Sequence, residues 1–273
     1  MKLARLWQPR NPAFWLMVVL NLLSTLLAWV TRTYALAPLA MLVVTGFAIG
    51  NALLGLRLMW LLVQDEPTRR KAMAKSIQFF ETQFRSQVAS NELALNPFEI
   101  AALPHLRGRV LDFGCGLGNL AVAAARQGCS VMALDAAPTA IQHLASLAKR
   151  EGLDIRALEA DLREYEINED FDTVVSIGLL MFFDRETARR QLAQMQARVR
   201  PGGVAVINVL KAGTTFLDLF DPGGHCLFEK DELRAAFADW EVLGESLDDY
   251  PAPGETIKSF ITLIARKPGT PAA

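Results

Sequence analysis

Apolar and polar positions divide this chain into three stretches. From Ala13 to Val30 it is almost wholly apolar, broken only by Asn21, Ser24 and Thr25; after Thr31-Arg-Thr33 a second apolar run extends from Tyr34 to Val63. A helix crossing a bilayer needs ~20 apolar residues, so residues 1–64 are expected to form a two-helix membrane anchor. No small-x-small cleavage site follows the first run, which argues against a signal peptide. Arg57 would be costly at mid-bilayer, and a second span at about Leu36 to Leu56 leaves it at the interface, where its stem can snorkel. Trp15, Trp29 and Trp60 then fall in the interfacial belts. In the second stretch, residues 65–95, Met73, Ile77, Phe80 and Phe84 recur at helical spacing with Phe79 beside them. This predicts an amphipathic linker helix, expected to pack on the domain that follows. Asn96-Pro97 breaks it, and Phe98 to Leu106 reads as a second short helix.

The third stretch, residues 96–268, changes rhythm. Strand-like runs at Val110–Phe113, Ser130–Leu134, Ile155–Glu159, Thr173–Ile177, Val204–Leu210 and Ser259–Ala265 alternate with helical patterns such as Pro138–Arg150, Arg185–Val199 and Lys230–Phe237. Such alternation predicts an α/β fold with a mostly parallel sheet and helices on both faces. Pro201-Gly-Gly203 is expected as an architectural turn, and Pro268 to Ala273 as a disordered tail.

Charge sharpens the membrane reading and removes other partners. The net charge is −1, which implies no nucleic-acid partner. The basic residues flanking the runs are unevenly placed: Lys2, Arg5 and Arg10 before them, Arg69, Arg70, Lys71 and Lys75 after them, and only Arg32 between. Positive-inside bias therefore predicts both ends in the cytoplasm, in a bacterial-type inner (plasma) membrane, multi-pass, with residues 96–268 cytoplasmic. The three cysteines, Cys115, Cys129 and Cys226, form no C-x-x-C pair, so neither a metal site nor a disulfide framework is expected.

Candidate chemistry gathers at Arg109 to Asn119, RVLDFGCGLGN. Gly114, Gly116 and Gly118 stand at every second position between a strand and a helix, where glycines let a ligand approach the backbone and the helix N-terminus adds unpaired N–H groups. Asp135 ends the next strand ~20 residues on, the place of a ribose-binding carboxylate. The spacing is not that of the dinucleotide fingerprint, and Asp112 precedes the first glycine by two residues. DFGCGLG resembles motif I of the class I S-adenosylmethionine methyltransferases. LLMFFDRETARRQLAQMQARVRPGG (Leu179 to Gly203), LFEKDELRAAFADWEVL and the closing FITLIARKP resemble the tellurite-resistance methyltransferase family over about residues 96–268.

The resemblance implies a class I methyltransferase Rossmann-like fold, here preceded by two transmembrane helices, with S-adenosylmethionine as cofactor. It implies cofactor contacts from Asp112, Gly114, Cys115, Gly116, Gly118, Asp135, Ala136, Asp161, Leu162 and Ser176. Members of that family methylate tellurite or selenite oxyanions, some relatives methylate thiols, and the family's His-Arg pair before the last strand is replaced here by Pro251 to Lys258. The segment Gly213 to Phe228 follows a strand at the ligand edge and is expected to cover the acceptor, with His225 as a base for a thiol proton and Cys226 as a soft ligand. His105 and His143 read as structural. The expected activity is methyl transfer to a small soft nucleophile, a thiol or a tellurium or selenium compound. Two alternatives are a membrane-embedded quinone or lipid acceptor, and a cofactor-binding regulator of a membrane partner without catalysis.

Overall fold

The computed structural model describes residues 12–34, 37–90, 93–220 and 224–269. The basic tail with Lys2, Arg5 and Arg10, the end of the C-terminal tail, and the side chains of Trp60, Arg69, Arg70, Lys71, Met73 and Lys75 lie outside the described residues. The chain divides into two compact units, Met1–Lys71 and Ala72–Ala273.

The first unit holds α1 (Pro12–Thr33) and the beginning of α2 (Pro38–Ser90). Trp15, Leu22, Trp29, Leu39, Phe47 and Leu53 are all exposed. Among the described residues one helical stretch, Pro38–Gly55, is long and apolar enough to cross a membrane, with 6% of it buried; Val18–Thr33 is a shorter apolar stretch. By length and composition, then, one of the two expected spans qualifies. The helix does not stop where a linker was expected to begin: α2 runs unbroken for 53 residues. Arg57 is exposed.

The second unit is built on a seven-stranded sheet in the order β3-β2-β1-β4-β5-β7-β6. Its strands are β1 (Arg109–Phe113), β2 (Ser130–Asp135), β3 (Ile155–Glu159), β4 (Phe171–Ile177), β5 (Val199–Leu210), β6 (Glu241–Ala252) and β7 (Thr256–Arg266). β1 to β5 pair in parallel, and β7 joins β5 antiparallel and β6 beside it. The chain winds outward from β1 to β3, then returns to lay β4 against β1. That reversal opens a crevice outside the carboxyl ends of β1 and β4, where open α/β sheets bind ligands.

Between the strands lie α3 (Pro97–Ala102), α4 (Asn119–Arg126), α5 (Pro138–Glu151), α6 (Arg185–Arg198) and α7 (Glu232–Ala236). Asn96 opens α3 with a capping box: its side chain accepts from the Phe98 and Glu99 N–H groups, and Glu99 accepts from the Asn96 N–H. Successive strand residues face opposite sides of a sheet. Leu111, Phe113 and Val174 accordingly pack in one core layer with Leu192 of α6, while Val110, Val175 and Val206 pack in the other with Leu120 of α4.

Two expectations are revised. Residues 241–252 form a strand that the pattern did not indicate, because no residue of this edge strand is fully buried and it carries no apolar alternation. Pro201-Gly-Gly203 is not a separate turn; it lies within β5 at a shift of register opposite Phe171 and Thr173.

At the amino ends of the strands, Asp172 accepts the Arg109 N–H at 2.8 Å and pairs with Arg200 at 3.0 Å. Burial pushes this carboxyl up, but the Arg109 and Arg200 hydrogen bonds hold it below the ordinary range. Gly108 has φ +61°, and a Cβ there would collide with the Asp172 carboxylate.

Candidate functional site

At the opposite, carboxyl ends of the strands the second unit holds a cavity of about 840 Å³, within the ~300–1,000 Å³ range of small-molecule sites. The glycine turn forms one wall. The Gly114 and Cys115 N–H groups both donate to the Leu134 carbonyl at 2.9 Å, tying the turn to the end of β2. The Gly116 N–H donates to Asp135 Oδ2 at 2.9 Å, and the Ala137 N–H to Asp135 Oδ1 at 2.8 Å. Asp135 is thereby held in place while each oxygen keeps capacity for a ligand hydroxyl. Gly116 has φ +52°, and a Cβ there would stand 3.3 Å from the Phe84 ring.

The wall is acidic. Asp112 is buried, and its Oδ2 has no hydrogen-bond partner. Burial, reinforced by the Glu99 and Asp135 carboxylates, pushes Asp112 up to about 8. Burial also raises Glu99 against its Asn96 hydrogen bond, and raises Asp135 against the Ala137 and Gly116 N–H groups. Cys115 is raised well above an ordinary thiol by burial and then by the neighbouring carboxylates, so it lines the cavity as a neutral S–H and offers no thiolate.

Much of the remaining lining is aromatic. Phe80 of α2 meets Phe182 edge-on at 5.2 Å, Phe182 lies 4.9 Å from Phe220, and Phe80 stacks on Phe84 at 5.8 Å. Phe98 and Phe260 approach at 4.9 Å. Thr139 at the start of α5 donates to Glu81 through both its hydroxyl and its N–H, fixing this part of α2 over the turn. Within the second unit this part of α2 packs over the turn, and its Phe80 and Phe84 line the cavity. Lys258 is the one cation among the lining residues, its Nζ 4.6 Å from the centre of the Phe216 ring.

Of the residues expected at the cofactor, Asp112, Gly114, Cys115, Gly116, Asp135, Ala136 and Leu162 come together in this lining. Gly118 does not: with φ +77°, its missing Cβ makes room for Leu144 of α5, 2.5 Å from where that carbon would sit. Its role is helix packing. The Asp161 carboxylate pairs with Arg163, with contacts of 2.9 and 2.6 Å, and Asp161 is not among the lining residues, although the adjoining Leu162 is. Ser176 is fully buried, and strand alternation turns it to the layer opposite Val175 and Ile177. The His225 ring lies 5.1 Å from the Phe220 ring, centre to centre, and His225 is not among the lining residues. Cys226 is buried and raised by its burial. His105 and His143 are absent from the lining, and no metal-binding cluster occurs among the described residues.

Sequence reasoning missed Glu99, Phe98, Asn208, Phe182 and Phe183, whereas Phe216, Leu219 and Phe220 of the lining belong to the segment expected to cover the acceptor. Asn208 had a signal: it is the one polar residue in the run Val204–Leu210.

The acidic wall suits a ligand that carries both positive charge and a diol. S-Adenosylmethionine carries an ammonium, a sulfonium and a ribose diol, so the residues present fit it. Comparison with known proteins agrees. Residues 110–203 match the family model described as a methyltransferase domain. The chain is 33% identical over 171 residues to Hemagglutinin 1 of Eikenella corrodens, covering 59% of this chain and 55% of that protein. It is 30% identical over 167 residues to the probable S-adenosyl-L-methionine-dependent methyltransferase TehB of Haemophilus influenzae, covering 58% and 57%. The chain thus spans little more than half the length of these relatives.

Two solved structures share the fold. The crystal structure of TehB from Haemophilus influenzae has a TM-score of 0.56 at 24% identity, covering 64% of this chain and 63% of that one. Burkholderia thailandensis 1,6-didemethyltoxoflavin-N1-methyltransferase, with bound 1,6-didemethyltoxoflavin and S-adenosylhomocysteine, has a TM-score of 0.52 at 24% identity, covering 73% and 90%.

Proposed function

We propose that this chain, which carries a class I S-adenosylmethionine-dependent methyltransferase domain of the TehB type, methylates a small soft nucleophile, a thiol or a selenium or tellurium compound, while anchored to a membrane by its N-terminal helices. The observation that carries the acceptor class is the aromatic wall. Phe80, Phe182, Phe216 and Phe220 line the cavity together with the carboxylates, and Lys258 is the sole cation among the lining residues. A highly charged oxyanion entering there would lose its hydration with little compensation. A neutral or singly charged soft nucleophile would lose much less.

Bound at the acidic wall, S-adenosylmethionine supplies an electrophilic methyl on a sulfonium, a leaving group that departs neutral. The protein's part is to hold and exclude. Asp135 would hold the diol, Asp112 and Glu99 would balance positive charge, and the turn at Gly114 and Gly116 would permit close backbone approach. The phenylalanines keep water out. Soft nucleophiles need positioning more than proton removal, and in-line placement alone supplies several kcal/mol (roughly 7–11 in favourable cases). That fits a lining without histidine.

Methyl transfer from labelled S-adenosylmethionine, with the 273-residue chain in detergent micelles, tests the reading. The panel is butanethiol, selenite, tellurite and a lipid extract. Labelled thioether should dominate; a strong preference for tellurite over every thiol would overturn the aromatic-wall argument. The exposed apolar stretch Pro38–Gly55 favours a second reading, a quinone or lipid acceptor, which predicts label in the lipid extract instead. Absence of turnover with any acceptor would leave a non-catalytic cofactor-binding module.

The anchor reading has its own test. Lys2→Cys and Arg32→Cys variants are treated with an impermeant thiol reagent in intact cells. The three native cysteines are buried, so background labelling should be low. Position 32 should label and position 2 should not; the reverse would invert the orientation.

A further inference from the structure

Asn208 stands near the carboxyl end of β5, fully buried in the cavity lining. Its Nδ2 donates to Thr262 Oγ1 of β7 at 2.9 Å, across the strand pair in which the two residues are partners. That bond pins the amide plane. The amide oxygen is left buried with no hydrogen-bond partner. Its register partners on the two neighbouring strands are Ile177, which has no side-chain donor, and Thr262, whose hydroxyl already accepts from the amide nitrogen. An amide oxygen buried without a donor is costly, and a fold with no use for it would place a leucine or valine there. β5 lies two strands from β1, ~10 Å across the sheet from Asp112. The oxygen is therefore set apart from Asp112 within the same cavity.

We propose that Asn208 positions the methyl acceptor, its amide oxygen receiving a hydrogen carried by the nucleophilic atom. The cavity then selects acceptors that present a lone pair and a donor hydrogen together, an S–H, Se–H or N–H, over nucleophiles of similar size that lack the hydrogen. This deepens the soft-acceptor reading and rests on it for the choice of thiols and selenols. The step balances without a base from the protein. The acceptor lone pair forms the new bond to methyl, and the methyl–sulfonium bond breaks with its electron pair remaining on the departing thioether sulfur. The hydrogen held at Asn208 leaves as a proton to water. Asn208 ends unchanged.

The test uses the full chain in micelles with three probes: butanethiol and butylamine, which carry the hydrogen, and dimethyl selenide, which does not. The wild-type protein should prefer the hydrogen-bearing probes in kcat/KM. Asn208→Leu should collapse that preference by at least ~10-fold, since sites built to pair a substrate donor discriminate strongly against its absence. Asn208→Asp, which keeps an acceptor oxygen, should retain more of the preference than Asn208→Leu. Thr262→Val removes the cross-strand bond but leaves the amide, and separates orientation from folding. If Asn208 only ties β5 to β7, Asn208→Leu and Thr262→Val will lower stability and slow all three probes alike, and the proposal is overturned. Turnover of butylamine without butanethiol, lost selectively in Asn208→Leu, would keep Asn208 in this role and overturn the soft-acceptor reading. Equal use of all three probes by the wild-type protein would overturn the role of Asn208 itself.

Discussion

Asp112 offers the most quantitative test of the site. Its carboxyl is displaced from the ordinary 3.8 to about 8, first by burial and then by Glu99 and Asp135. A displacement of that size corresponds to roughly 6 kcal/mol between the two protonation states. The folded value lies above the unfolded one. The wild-type protein therefore carries no penalty below pH ~4, loses stability as pH rises from there to ~8, and is level above. Asp112→Asn keeps the shape and removes the titration. The variant should match the wild-type protein near pH 4 and gain on it by about 1.4 kcal/mol per pH unit, with the roughly 6 kcal/mol as a ceiling. Hydrogen exchange of β1 and β4 peptides reads the opening free energy of this sheet directly. S-Adenosylmethionine should reverse the comparison, because its positive charge favours the ionised carboxyl. At pH 7 cofactor binding should expel a proton from the wild-type protein and not from Asp112→Asn, measurable by calorimetry in buffers of different ionisation heat. A stability difference independent of pH, together with equal proton release from both proteins, would refute the placement of a neutral, buried Asp112 at the cofactor.

Other substitutions separate binding from folding. Asp135→Ala removes the acceptor that steadies the Gly116 and Ala137 N–H groups and serves a ribose, so S-adenosylmethionine affinity should fall by ~1.5–3 kcal/mol, a loss of roughly ten- to a hundred-fold or slightly more; unchanged affinity by calorimetry would remove Asp135 from the site. Gly118→Ala forces a side chain into left-handed backbone and into Leu144, and should cost about 2–4 kcal/mol in urea denaturation, with normal cofactor affinity in the fraction that folds. His225→Ala should change thiol turnover only slightly, well short of the ~10²–10⁴-fold loss expected for a general base; a loss of that size would return His225 to the chemistry.

Much of the α/β core was legible because strands buried on both faces read as short apolar runs between glycine turns, as at Val110–Phe113 and Ser130–Leu134. The turn and the acid after it were legible together because successive strand ends of a parallel sheet share one edge; Asp112, Gly116 and Asp135 meet there. Strand parity was not applied to Ser176, which has the right position along β4 but the wrong face. β6 escaped because an exposed edge has no apolar signature. The phenylalanines of α2 showed their helical period, yet a period says that a face is buried and not what buries it. Asn208 was visible as a polar break in β5, but its orphaned oxygen is a property of the packed sheet alone.

The two ends of this sheet carry different loads. Asp172, bonded to Arg109 and Arg200, clamps β1, β4 and β5 at their amino ends, while Asp112, Asp135, Ile177 and Asn208 stand at the carboxyl ends around the cavity. Substitutions at the clamp should alter how much folded protein a cell holds. Substitutions at the mouth should alter what that protein acts upon. Because the two sets share no side chain, changes at Phe216 or Phe220 leave the clamp at the other end of the sheet untouched.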